Sequence, residues 1–257
     1  MYPGFDTWRY PGDAAMAAWR EASPYRWVGY YLPAPCHRDS SWVGRRETLT
    51  RMDWGLAVLY VGQQVFEGEP PPEAGAPGVV CSRTLLTENQ GRRDAADAVA
   101  RAEAEGFPAG ATLFLDVERT SVVPPALTVY VRTWIGAVLE DGRYRPGMYV
   151  HRLNADVLFA QAVASYRAAG RTDTPPFWVA GAGGFALDRP PEAVGVPYAV
   201  IWQGALDVSR TWGGVTLTVD ENVALRPSQG SPSPEGPLPV GPAPGWSGSG
   251  RASVDGR

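Results

Sequence analysis

Eight short apolar segments, separated by turns or by helical segments, constrain the fold of this chain more than any other feature. The segment Leu56–Val61 is apolar at every position, without the polar alternation of a half-exposed strand. Uninterrupted apolar strands are typical of sheets covered on both faces, as parallel sheets are. The predicted strands are 2–6, 27–32, 56–61, 111–118, 145–150, 176–180, 198–203 and 215–220.

Helical segments follow most of these strands, at 14–22, 43–52, 92–106, 126–140 and 155–169. Such alternation implies parallel pairing with right-handed crossovers. Eight units over about 225 residues match a (β/α)8 barrel. The last units are degenerate, with no helix before the seventh strand and only a hairpin-like Gly213-Gly214 turn before the eighth. We predict an α/β fold, a modified (β/α)8 TIM barrel. A doubly wound sheet is the alternative, but the glycine-rich phosphate turn that normally follows its first strand is missing.

Two segments depart from this pattern. From Arg226 onward Pro, Gly and Ser dominate, and such a stretch cannot bury enough apolar surface to offset its ordering entropy. We therefore expect a barrel over residues 1–225 and a disordered tail over 226–257. Gly62 to Gly91 is a long interior connection, which in compact domains is functional or disordered. We expect it to form a lid over the site.

Composition and net charge argue against several classes of function. A net charge of −4 and a pI near 5.3 give no nucleic-acid footprint, and no apolar run reaches the roughly 18 residues of a membrane span. No signal peptide is visible, so the default expectation is a cytoplasmic monomer. Cys36 and Cys81 permit one disulfide without requiring it, and no Cys/His cluster indicates zinc. We expect no cofactor.

Asp116 and Glu118 stand at the exit of the fourth predicted strand. Residues i and i+2 of a strand share a face, so the two carboxylates project together. Their repulsion and partial burial should raise the pKa of at least one of them, as acid–base chemistry on a glycosidic bond requires. The structural alternative is a strand end with two solvated acids that cap the next helix.

The carboxyl ends of barrel strands hold the catalytic groups of such folds. By that rule Asp6, which ends the first strand, and Asp220, which ends the eighth, should be neighbours that face Asp116 and Glu118. Four carboxylates among aromatic rings suit a cationic transition state. The histidines His37 and His151 are interpreted as surface or capping residues. Predicted to bind substrate are Gln63, Tyr149, Trp178, Trp202 and Gln203.

Six short motifs, in this order, carry a family resemblance: Gly4-Phe-Asp-Thr, Tyr60-Val-Gly-Gln-Gln64, Phe114-Leu-Asp-Val-Glu118, Met148-Tyr-Val, Ile201-Trp-Gln203 and Val219-Asp-Glu-Asn222. Over about residues 2 to 225 the chain resembles a bacterial glycoside-hydrolase-like domain family, once listed as a domain of unknown function. That family is similar to the glycoside hydrolase family 25 lysozymes, which cleave peptidoglycan. The resemblance implies Glu118 as general acid supported by Asp116, with Asp6 and Asp220 completing the site.

The expected function is a glycosidase acting on peptidoglycan or a related N-acetylated polysaccharide. One alternative is a catalytically silent, envelope-associated sugar-binding barrel. Another is a divalent-metal hydrolase, because four carboxylates could hold magnesium or calcium.

Overall fold

The computed structural model describes residues 1–66 and 80–231, and eight strands close a single barrel in the order of the chain. This confirms the predicted modified (β/α)8 barrel. The strands are β1 Tyr2–Asp6, β2 Trp27–Tyr31, β3 Gly55–Val61, β4 Thr112–Val117, β5 Arg145–His151, β6 Phe177–Ala180, β7 Ala199–Trp212 and β8 Val215–Ala224.

Five α-helices accompany the strands in the described part: α1 Asp13–Ala22, α2 Arg46–Arg51, α3 Glu88–Ala104, α4 Pro125–Asp141 and α5 Arg152–Ala168. Helix α3 begins four residues earlier than predicted because the Thr87 hydroxyl caps it, accepting from the Gln90 amide at 3.2 Å. Between β6 and β7 lies only a short 3-10 turn, Pro191–Val194. None of the described helices has the length and apolar character to cross a membrane.

Strand β8 departs from the predicted parallel pairing. It runs antiparallel to both β7 and β1, because the tight turn at Gly213-Gly214 reverses the chain directly after β7. Asp220 therefore does not end its strand, which continues to Ala224. The antiparallel register pairs Asp220 with Asp6, so this acid still reaches the carboxyl end of the barrel.

Strands β7 and β8 extend beyond the barrel as a hairpin. Register shifts after Gln203 and after Ala205 interrupt the pairing at the mouth, where Asp207 has a φ of 51°. Irregularities of this kind bend a strand and redirect its side chains. At the hairpin tip the Trp19 indole of α1 donates to the Val215 carbonyl at 3.0 Å. The hairpin is thus anchored on α1, with its base beside the mouth.

A packed aromatic layer fills the barrel beneath the mouth. The ring of Trp178 meets Tyr149, Trp27 and Phe114 edge-on, at centroid separations of 5.6, 5.4 and 5.8 Å. Edge-to-face pairs of this kind contribute about 0.5–1.5 kcal/mol each beyond their buried area. The side chains at the mouth therefore stand on a rigid floor, not over a channel.

A disulfide joins Cys36, after β2, to Cys81, shortly before α3, with the two α-carbons 5.0 Å apart. The sequence alone did not decide whether this disulfide forms. The centre of the predicted lid, residues 67–79, lies outside the described residues. The part of Gly62–Gly91 that is described includes the disulfide, a 3-10 turn and the first residues of α3.

Residues 227–230 pack against the amino ends of β3 and β4, beyond the predicted boundary at 225. The Ser228 hydroxyl accepts from the Leu56 amide at 3.1 Å, and the Gln229 carbonyl accepts from the Thr112 amide at 3.0 Å. The Pro227 carbonyl lies so close to Gly55 that a β-carbon there would overlap it. This stretch completes the strand-end hydrogen bonds despite its polar composition. The rest of the predicted tail, from residue 232, lies outside the described residues.

We expect a chain truncated after Leu225 to be less stable than one truncated after Ser231. The shorter chain loses four hydrogen bonds to Leu56 and Thr112, together about 4 kcal/mol at typical values. Thermal denaturation of the two truncated chains measures the difference. Equal midpoints would show that residues 226–231 contribute nothing to the fold.

Candidate active site

A pocket of about 480 Å³ opens at the carboxyl end of the barrel, and six of the nine predicted site residues line it. These are Asp6, Asp116, Glu118, Tyr149, Gln203 and Asp220. They come from β1, β4, β5, β7, β8 and the residue following β4. The register places Asp116 beside Tyr149 and Asp6 beside Asp220, so neighbouring strands supply groups to one wall.

Asp6 is the most heavily hydrogen-bonded acid of the site. It accepts from Asn222 Nδ2 at 2.7 Å, from Gln203 Nε2 at 2.9 Å and from the Tyr31 hydroxyl at 2.7 Å. Burial raises the pKa of its carboxyl, and the three donors oppose that rise because they favour the charged form. Asp6 is therefore the acid whose carboxylate the protein stabilises best.

Gln203 joins the acids into one network. Its amide nitrogen also donates to Asp220 Oδ2 at 3.3 Å, and its amide oxygen accepts from the Tyr149 hydroxyl at 2.7 Å. Burial raises the pKa of Tyr149 well above its usual range, as does the charge of Glu118, so its phenol stays protonated and donates. Asn222 is held in turn by the Trp178 indole at 2.8 Å.

Gly29 of β2 provides the space that Asp6 occupies. A β-carbon at this position would lie 2.6 Å from the β-carbon of Asp6, far inside van der Waals contact. Because the clash is with the base of a side chain on a strand, a rotamer change cannot relieve it.

Gly29→Ala is therefore expected to displace Asp6 and to destabilise the fold by about 1–3 kcal/mol, the usual effect of overpacking. Gly136→Ala is the matched control, because no atom lies within 4 Å of the added methyl group in α4. That change should stabilise the helix by about 0.5–1 kcal/mol. Denaturant titration of both variants tests the pair, and equal stabilities would contradict the account of Gly29.

Gln64 holds the backbone from which Asp116 and Glu118 project. Its amide nitrogen donates to the Asp116 carbonyl at 2.8 Å, and its amide oxygen accepts from the Glu118 amide at 3.0 Å. The side chain thereby bridges the exit of β4 from the neighbouring β3. It fixes the direction in which the two carboxylates leave the strand.

The two acids of this pair differ in exposure. Asp116 is buried, which raises the pKa of its carboxyl well above its usual range; the charges of Glu118 and Asp6 add to that rise. Glu118 has accessible surface at the mouth, yet protein atoms surround it on most sides. This partial desolvation, followed by the charge of Asp6, raises its pKa as well. Glu118 is thus both reachable and biased toward its protonated form.

Asp220 is the fourth acid of the set. Burial, and then the charge of Asp6, raises its pKa to about 7. The Asp207 backbone amide donates to Asp220 Oδ1 at 2.7 Å, which favours the charged form and opposes the rise. At neutral pH this group exchanges a proton readily, because its pKa lies close to the ambient pH.

Three predicted substrate-binding residues are not brought to the pocket wall. Trp178 is fully buried in the floor. Trp202 points away from Gln203, as successive strand residues do, and its indole donates to the Gly181 carbonyl at 2.6 Å. Gln63 is buried and bonds the backbone on either side of Cys81. None of the three presents a face to a ligand, so their assignment as sugar contacts is corrected to a supporting role.

Other pocket residues were not predicted as site residues. Trp8, with 36% of its surface exposed, lines the wall, as do Tyr31 and Asp207. Tyr31 lies in an apolar strand, and the sequence does not show which positions of such a strand face the barrel interior. Asp207 lies in the irregular base of the hairpin. The signal available for Trp8 was its place just after Asp6, beyond the end of β1.

The two histidines have different environments. His151 caps α5, accepting from the Leu153 amide at 3.2 Å, as predicted. His37 was expected at the surface but is fully buried, stacked on Tyr31 and edge-on to Trp8 at 4.2 Å. Burial lowers its pKa to about 4, so it is neutral at physiological pH. Its ring packs behind the pocket wall.

The carboxylates do not form a metal-binding arrangement. Within residues 1–66 and 80–231, no group of three or more His, Cys, Asp or Glu side chains is placed to hold a metal ion. The acids instead accept hydrogen bonds from amide, phenol and backbone donors.

The closed (β/α)8-type barrel gathers four acids at the carboxyl end of its strands, the face that holds the catalytic groups in enzymes of this fold. The model of the Rv2525c-like, glycoside hydrolase-like domain family matches residues 17–224, and the chain belongs to this family. The resemblance inferred from the motifs is confirmed. A search of curated proteins finds no match.

Solved structures of similar fold share little sequence with the chain. An uncharacterised protein of B. stearothermophilus has a TM-score of 0.58 at 18% identity, over 88% of this chain and 97% of its own. A lysozyme from Streptomyces coelicolor has 0.53 at 15%, over 88% and 92%. The glycosyl hydrolase 25 GHIP of Streptococcus pneumoniae has 0.55 at 13%, over 87% and 86%. At such identities the similarity concerns the fold.

Proposed function

We propose that this protein is a glycoside hydrolase that cleaves peptidoglycan or a related N-acetylated polysaccharide. One observation carries the proposal: Glu118 is reachable from the pocket, and its pKa is raised by burial and by the charge of Asp6. A protonated carboxyl beside an ionised one is the pair that glycosidic cleavage uses. Family membership and the likeness in fold to a lysozyme support the substrate class.

The division of roles follows from the hydrogen bonds. Glu118 donates its proton to the glycosidic oxygen as the bond from the anomeric carbon breaks. Negative charge at Asp6, or the acetamido group of the substrate, stabilises the positive charge that develops on the sugar, and Asp116 supports Glu118. Water then adds to the anomeric carbon and returns a proton to Glu118. Asp220 orients the substrate or this water.

Mass spectrometry of purified peptidoglycan and N-acetylated chitin-type oligosaccharides incubated with the protein tests the proposal. We expect new reducing ends, with the masses of the two products together exceeding that of the cleaved chain by one water. Binding of these glycans without cleavage would overturn the proposal and leave a silent sugar-binding barrel.

A further inference from the structure

The pocket carries an excess of acidic over basic side chains. Of the described residues that line it, five are carboxylic acids, the four acids of the network and Asp207, and one is a cation, Arg9. Arg9 lies 3.4 Å from Asp39, outside the lining, and 67% of its side chain is exposed. Its charge is therefore directed in part to Asp39. The wall that faces a ligand stays acidic.

Asp207 adds a carboxylate at the entrance of the pocket. The irregular base of the hairpin holds its backbone amide against Asp220, so two carboxylates are neighbours at the rim. The Asp207 side chain is exposed, and its charge contributes to the raised pKa of Asp220. Two like charges at one rim favour an arriving cation and disfavour an arriving anion.

Asp116 provides an observation independent of the charge count. Its side chain is 4% exposed and lines the pocket, and its Oδ1 atom has no hydrogen-bond partner among the described residues. A buried acceptor without a donor is energetically unfavourable, so a ligand that brings a donor gains by satisfying it. An ammonium group carries three donors and no acceptor.

We infer that the pocket binds a glycan that carries a free amino group, that is, a de-N-acetylated amino sugar. The inference rests on the proposed function and narrows its substrate to partly de-N-acetylated peptidoglycan or a similar glycan, in which free amino sugars stand among N-acetylated ones. An acetamido group can offer one N–H donor but no charge, and a sugar carboxylate meets repulsion from the rim. The ammonium group supplies a hydrogen-bond donor for the unpaired oxygen of Asp116 and a positive charge that the acidic wall attracts.

Binding of such a ligand is coupled to proton exchange. A cation beside Asp220 lowers the pKa of that carboxyl from about 7, so at pH 7 the half-protonated group releases part of a proton, whereas any uncharged amine takes one up on entering the acidic pocket. A neutral N-acetylated ligand lacks this effect. The proton count therefore distinguishes an ammonium group in the acid pocket from one elsewhere on the surface.

Isothermal titration of the Glu118→Gln variant with a glucosamine tetramer and an N-acetylglucosamine tetramer, in two buffers of different ionisation enthalpy, tests the inference. The variant prevents cleavage during the measurement. We expect the amino tetramer to bind at least about tenfold tighter near pH 7, with a buffer-dependent proton exchange that the acetylated tetramer does not show. Equal affinities, tighter binding of the acetylated tetramer, or binding of neither overturns the inference.

Two further variants, each made on the Glu118→Gln background, locate the effect. Asp207→Asn keeps the shape and tolerates the positive φ, and it should weaken the amino tetramer several-fold without changing the acetylated one. Glu140→Gln removes a charge near the carboxyl end of α4, at the opposite end of the barrel, and should change neither. An equal loss in both variants would mean non-specific attraction and would overturn the inference.

The wild-type protein separates this inference from the proposed function. Hydrolysis with preference for N-acetylated glycans overturns the inference alone. If the protein binds the amino tetramer preferentially but hydrolyses no glycan, the proposed hydrolase activity is overturned and the inferred class of ligand stands.

Discussion

Glu118→Gln is expected to lower the turnover of a cleaved glycan by about 10²–10⁴-fold, the usual contribution of general acid catalysis. Glutamine keeps the size of the side chain and can still donate to the glycosidic oxygen, but it has no transferable proton. The affinity for substrate should therefore change little. The backbone support from Gln64 is unaffected by the substitution, because it involves the Glu118 amide.

The pH dependence of the same reaction follows from the raised pKa of Glu118. The acid is active when protonated, so activity falls as the pH rises through that raised pKa. Initial rates of wild type, Glu118→Gln and the distant Glu140→Gln, measured across the pH range, provide the comparison. If Glu118→Gln hydrolyses as fast as wild type while Glu140→Gln behaves normally, the assignment of the general acid is wrong.

Removing the Cys36–Cys81 bond by changing both residues to Ser is expected to destabilise the barrel by about 4 kcal/mol. The bond closes a loop with a sequence separation of 45, and loop-closure entropy gives this value for such a length. At this chain length the thermal midpoint should fall by roughly 10 °C. Reductant should lower the midpoint of wild type and leave that of the double variant unchanged. A double variant as stable as the oxidised wild type would contradict the estimate.

The same bond supports both halves of the acid network. Next to Cys36, His37 packs on Tyr31, which donates to Asp6. On the other side, Gln63 bonds the residues flanking Cys81. Its neighbour Gln64 holds the strand exit of Asp116 and Glu118. We therefore expect the double Ser variant to lose turnover even at temperatures where it remains folded, which calorimetry and activity assays of one preparation can separate.

The barrel and three of its four acids follow from the sequence by simple rules. Apolar runs without alternation predict buried parallel strands, and the carboxyl ends of such strands meet at one mouth. That reasoning places Asp6, Asp116 and Glu118 correctly. Asp220 reaches the mouth for a different reason. Its strand runs in the opposite direction, and the register with β1 places it beside Asp6.

The supporting residues could not be predicted in the same way. Whether a strand-end side chain points into the mouth or away from it depends on which face of the pleated strand it occupies. Trp202 and Gln203 are successive residues and therefore point in opposite directions. Depth also matters, since Trp178 lies in the floor. Gln64, Asn222 and Gly29 act through pairings between distant strands. A single sequence does not show which of its polar or small residues will meet in this way.

The unpaired oxygen of Asp116 has an evolutionary consequence. A buried carboxyl without a donor weakens the native state, so the fold alone gains nothing from keeping it and would tolerate many replacements. In a lineage released from selection on this pocket, Asp116 would drift early, well before the glycine and amide positions that the fold itself requires. A comparison of this position across natural relatives would therefore report directly on whether selection still acts on the chemistry.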